Sequence, residues 1–189
     1  MTIRHPQLLA IDGELQATIR RARALADRAG PARWQRQPSP GQWAPSECVQ
    51  HLIATIDAFL PLVDAALDAA PPREAPVIRR FAPGLLGRAL LWVIEPPYRI
   101  RTKTSAAFVP PATRTPEVDL SELTHRHTAL SARLARADGH FLDRLTIVSP
   151  FDARVRYSLF TAFRLLPTHE RRHLWQAERA LDQMERAST

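Results

Sequence analysis

Apolar residues recur along this chain at steps of three and four over four long stretches, the period of helices with one face turned inward. The first runs from Pro6 to Ala29, where Leu8, Ile11, Leu15, Ile19, Ala22 and Ala26 share a face, and Gly30-Pro31 predicts its end. Trp34 to Gln42 reads as a polar, Pro-rich connection. The second helix is expected from Pro45, a residue suited to the first helical position because no N–H partner is needed there. Its stripe is Cys48, Leu52, Ile56, Phe59, Val63 and Leu67, and Pro71-Pro72 closes it.

The third stretch opens on Asp119-Leu120-Ser121-Glu122, a variant of the capping box, and continues through Leu123, His127, Leu130, Leu134 and Ala137 towards Gly139. The fourth spans Val155 to Arg186, with Leu159, Phe163, Leu166, His169, His173, Ala177, Ala180 and Met184 on one side. Pro167 lies inside it and predicts a kink or a division, since proline removes a backbone hydrogen bond and crowds the preceding turn. Residues 71–117 are Pro-rich and irregular, with one short helix expected from Gly84 to Ile94. Thr146-Ile147-Val148 reads as too short to build a sheet. The pattern as a whole predicts an all-α fold, one four-helix-bundle domain over residues 1–189. A long crossover between helices two and three would let those two run parallel.

Composition changes this picture little. Hydrophobic residues make up 45% and charged residues 24% of the 189, which is the balance of a globular chain. The run Gly84 to Ile94 reads as the longest apolar stretch. It is too short for a bilayer, and the N-terminus lacks the apolar region of a signal peptide, so a cytoplasmic protein without a membrane partner is expected. Cys48 is the only cysteine, which excludes an intrachain disulfide and an all-cysteine metal site. The net charge of +7 comes almost wholly from arginine, with Lys103 the sole lysine. That choice, with 17 prolines, reads as the mark of a GC-rich bacterial genome. The arginines are scattered rather than clustered with aromatics, which argues against a nucleic-acid partner.

The candidate chemistry lies in three histidines. His169 and His173 are four apart, so a helix stacks them one turn apart on the face that also carries the apolar stripe. Two buried imidazoles need partners, and one metal ion would satisfy both. His51 sits near the start of helix two beside its stripe. Three histidines from two helices would leave coordination positions open, as catalytic sites do. Glu47, one turn before His51, could orient that imidazole, act as a base, or simply face the positive end of the helix dipole. Cys48 reads as a small buried apolar side chain, with ligation or reactivity as its alternative. His127 reads as a hydrogen-bonded core histidine or a pocket residue, and His125 and His140 as solvated. Arg171 and Arg172 flank the pair and read as a solvated helix face or as a grip for an anion. Trp43 and Trp175 read as packing residues, and Gln176 as site or polar rim.

The stretch Trp43-x-x-x-Glu47-x-x-x-His51-Leu52, with His169-Glu170-Arg171-Arg172-His173-Leu174-x-Gln176 far downstream, resembles the DinB-like superfamily, also called the damage-inducible or YfiT-like family. The resemblance implies a four-helix bundle with one histidine on the second helix and HxxxH on the fourth. It implies that His51, His169 and His173 bind a divalent metal, zinc or nickel foremost. It further implies metal-dependent chemistry on small molecules, since characterised relatives include thiol S-transferases using bacillithiol, mycothiol or glutathione, and a maleylpyruvate isomerase. Two departures stand out: Ala44 occupies the position where relatives carry Ser or Thr as the helix cap, and the 71–117 crossover is longer than in minimal members. The expected function is thus a metal-dependent transferase, of the low-molecular-weight-thiol S-transferase kind, or a hydrolase. The alternative is a non-enzymatic metal- or ligand-binding stress protein. A homodimer is expected if Leu85, Leu90, Leu91 and Trp92 do not fold back onto the bundle.

Overall fold

The computed structural model describes residues 2–71, 79–97, 108–110 and 113–187. Its elements are α1 (Pro6–Trp34), α2 (Pro45–Asp68), α3 (Leu85–Ile94), α4 (Pro116–Ala137), β1 (Thr146–Val148), β2 (Arg156–Ser158) and α5 (Leu159–Arg186). The four long helices form the bundle. α2 packs against α4 and α5, α1 packs against the same two, and α1 and α2 occupy one diagonal. Every residue of the α1, α2 and α5 stripes is buried except His169, which is half-buried, and on α4 only Leu120 is half-buried.

Ion pairs reveal the helix directions. Glu14–Arg171, Arg21–Glu178 and Arg28–Glu185 each join residues 157 apart, so α1 and α5 run parallel. Asp57–Arg126 and Asp64–Arg133 each join residues 69 apart, so α2 and α4 also run parallel, as the long crossover predicts. Both ladders repeat every seven residues, the interval that keeps flanking charges along a helix–helix seam. Across the other seams Asp12 meets Ser131 while Trp34 meets Asp119, so α1 and α4 are antiparallel.

Several sequence expectations need correction. Gly30 does leave the helical region (φ 64°), but Pro31–Trp34 add a further turn. Trp34 is therefore not in a polar connection but is fully buried at the end of α1. α4 begins at Pro116 with Thr115 as its cap, so Asp119 does not start the helix. Its buried carboxylate accepts from Trp34 Nε1 (2.8 Å) and Ser46 Oγ (2.7 Å), tying together the ends of α1, α2 and α4. Burial raises its pKa above the ordinary carboxylate value, although the two hydrogen bonds oppose the rise. Pro167 does not divide α5, which runs unbroken from Leu159 to Arg186. Residues 146–148 do build a sheet, a two-stranded antiparallel hairpin in which Ile147 pairs with Tyr157 and both side chains are buried. The hairpin takes the first residues assigned to the fourth helix, and Ser158 then caps α5 by accepting from Thr161 N–H at 3.2 Å.

The longest apolar stretch is α2, not residues 84–94: by length and composition its 24 residues could span a bilayer. Its stripe is instead the centre of the bundle core. α3 folds back on α5 and β2. The contact requires a residue without a side chain, since a Cβ on Gly87 would lie 2.6 Å from Thr161 Oγ1. Leu90 and Leu91 pack onto the core, whereas Leu85 (85%) and Trp92 (60%) stay exposed.

Candidate metal centre

The second turn of α2 and the middle of the antiparallel α5 bring His51, His169 and His173 together. One ring nitrogen from each lies within 4.8 Å of the others, and the cluster contains no carboxylate or thiol. His51 Nε2 faces His169 Nε2 at 3.3 Å. The ring centroids are 4.4 Å apart for His51 and His173, and 4.5 Å for His169 and His173. The spacing of four in α5 therefore produces the stacking expected of it, and His51 approaches from the neighbouring helix.

His51 Nδ1–H donates to the Phe108 carbonyl at 2.9 Å. That bond fixes the tautomer and leaves Nε2 with a lone pair directed at its two partners, the arrangement typical of metal-ligating imidazole. Burial lowers the pKa of all three rings, to about 3 for His169, where the neighbouring His51 and Arg172 charges add to the effect. All three are neutral at ordinary pH, the form that ligates. Lone pairs facing one another at 3.3 Å in a buried place repel unless a cation or a shared proton sits between them. The donor set thus fits a divalent ion of the zinc or nickel type.

Aromatic rings wall the cluster. Trp43 lies 5.1 Å from His51 and 5.9 Å from His173 between centroids, and Phe151, from the loop between the strands, lies 6.0 Å from His169. Trp43, read from sequence as packing alone, therefore packs directly on two of the imidazoles. A side-chain hydrogen bond joins His173 and Gln176, which places Gln176 at the site rather than the rim.

Glu47 lies at the helix start. Its Oε2 accepts from the Ala44 backbone N–H at 2.7 Å, and Gln37 Nε2 donates to both carboxylate oxygens. This is half a capping box, because Ala44 has no side-chain acceptor to return the bond. The hydrogen-bond partner of His51 is the Phe108 carbonyl, not Glu47. Cys48 is fully buried, outside the cluster, and burial pushes its thiol strongly up, so it is the inert apolar side chain expected.

His127 is a core histidine. Its Nε2 meets Glu170 Oε1 at 2.9 Å with both side chains essentially inaccessible, a strut between the diagonal helices α4 and α5. Glu170 stands between the two α5 histidines in sequence, and sequence reasoning missed its role. A charged residue one step from a buried stripe was the available signal. Arg171, read from sequence as a solvated helix face or a grip for an anion, is instead engaged within the chain: it pairs with Glu14 and in bidentate fashion with Glu95. Arg172 is buried and donates to the Val93 carbonyl at 3.2 Å. His125 is exposed, whereas His140 and Trp175 are half-buried.

A family model described as the DinB superfamily matches residues 14–177, which include all three histidines of the cluster. The chain belongs to the DinB superfamily. No curated protein and no solved structure matches it. Membership in the DinB superfamily agrees with a helical bundle carrying a histidine cluster able to hold a metal ion.

Proposed function

We propose that this DinB-superfamily protein is a metal-dependent enzyme acting on a small molecule, with His51, His169 and His173 as the ligands of one divalent ion. The observation that carries the reading is the convergence of three neutral imidazoles within 4.8 Å, with no other donor in the cluster among the described residues. Three protein ligands leave a tetrahedral ion one open position, which distinguishes catalytic from structural sites. Zinc is the leading candidate and nickel the next.

Bound there, such an ion would lower the pKa of a coordinated thiol or water enough to provide a nucleophile at neutral pH. The chain's own residues set the conditions. The Phe108 carbonyl orients His51, while Trp43, Phe108 and Phe151 keep bulk water from the rings. Arg172 supplies a buried positive charge beside His169 and His173, which favours an anionic nucleophile such as a thiolate. Glu47 is bonded at the helix start, and among the described residues no carboxylate belongs to the cluster. The buried Arg172 charge and the aromatic walls that exclude bulk water support transfer of a low-molecular-weight thiol ahead of hydrolysis.

The ion-pair ladders engage Arg21, Arg28, Arg126, Arg133, Arg136 and Arg171, which supports a small-molecule rather than a nucleic-acid partner. The test is turnover of a panel of electrophiles with glutathione, mycothiol or bacillithiol by zinc- and nickel-loaded protein. Thiol-dependent turnover that His51→Ala abolishes is expected. Stoichiometric metal without turnover of any substrate would replace the enzyme with a metal- or ligand-binding protein.

A further inference from the structure

A cavity of ≈ 180 Å³ lies against the histidine cluster, with His169 in its wall. Four parts of the chain that the sequence pattern keeps apart line it: Phe59 from α2, Leu90 from α3, Leu166 from α5, and Phe151 and Val155 from the loop between the strands.

Its polar lining residues do not present polar atoms to it. Thr55 Oγ1 and His169 Nδ1 are wholly covered. The Ser149 hydroxyl accepts from Phe151 N–H at 3.2 Å and is also bonded to Tyr157. The Asp152 carboxylate is held by Arg154 through its backbone N–H and its guanidinium. What remains is a hydrocarbon surface beside a ring of the cluster. An apolar cavity of roughly 150 Å³ stays dry and accepts a benzene-sized guest, because filling it restores contacts that a void forfeits. Charged or strongly polar groups would lose their hydration there with no partner in return.

We propose that this cavity is the specificity pocket of the centre. It seats one compact neutral apolar group, a single aromatic ring or a branched alkyl of comparable bulk, on a molecule whose reactive end reaches the position beside His169. The assignment of the pocket to a substrate rests on the metal-centre reading, whereas the pocket's own preference does not. Shape and lining set that preference. A carboxylate on the ring meets no cation among the residues that line the cavity.

The test uses toluene, benzoate and benzyl mercaptan, titrated into metal-stripped and cobalt-loaded full-length protein by calorimetry and ligand-observed NMR. Toluene is expected to saturate one site on stripped protein, with benzoate at least tenfold weaker. Val155→Trp, on a loop, and Leu90→Trp, on α3, should each weaken toluene at least tenfold while cobalt content stays unchanged. Benzyl mercaptan should match toluene on stripped protein and bind at least tenfold more tightly to the cobalt form, with a thiolate-to-cobalt absorption band. No saturable toluene site, or toluene binding undiminished in folded forms of both tryptophan variants, overturns the proposal. Equal affinity of toluene and benzyl mercaptan on cobalt protein also overturns it, by separating cavity from centre. Failure of the wild-type protein to retain cobalt is a different result: it removes the centre while toluene binding to stripped protein still reports on the cavity.

Discussion

Burial is the chief force acting on the three clustered histidines. His51, His169 and His173 all hold protons less readily than free histidine, so below about pH 6.5 the unfolded chain binds more protons than the metal-free folded one. Stability then rises with pH through that window and is complete above it. Urea melts of stripped protein should show the midpoint falling steadily as pH drops from 6.5 towards 4, and zinc affinity should fall in the same direction because protons compete for the ligands. The His127–Glu170 strut is a second residue-scale case. Removing one partner leaves the other buried with nothing to pair with. His127→Ala should therefore cost about 3–5 kcal/mol, whereas replacing both by apolar residues of similar volume should cost far less. Equilibrium denaturation of the two singles and the double checks this. Equal losses in single and double variants would show that leaving one partner buried alone carries no extra cost.

The helix stripes were legible at the level of elements because each one buries a single face, and burial is what writes a period into sequence. The two α5 histidines could be placed on one face for the same reason. What was not legible involved contacts between distant parts of the chain. No period marks the Phe108 carbonyl, which reaches His51 from the crossover, nor Trp34, whose indole N–H finds Asp119 at the start of another helix. The β1–β2 hairpin was missed because strands of three residues carry too little alternation to see. The close approach of α3 to α5 at Gly87 is likewise a long-range fact carried by one small residue. Gly87→Val should force Thr161 and α3 apart and cost about 1–3 kcal/mol. It should also raise protease susceptibility near residues 84–94 while leaving metal content intact. An unchanged melting curve would show that the helices can separate freely there.

The molecule as a whole is two parallel helix pairs, α1 with α5 and α2 with α4, set against each other. Their constant ion-pair offsets of 157 and 69 residues explain why the arginines look scattered in sequence: they are distributed by heptad along two seams. Each exposed pair contributes little by itself, so the seams serve alignment more than strength. Alignment matters because His51 lies on one pair and His169 and His173 on the other. The family is shown by the match over residues 14–177, and the metal is the claim on which the function depends. The most direct measurement is elemental analysis of natively purified protein alongside His169→Ala, with folding of both confirmed by circular dichroism. The account predicts one equivalent of a divalent transition metal in the wild type and at least a tenfold loss in the variant. A folded wild type that takes up no stoichiometric metal under replete conditions, or a variant that retains it in full, would contradict it.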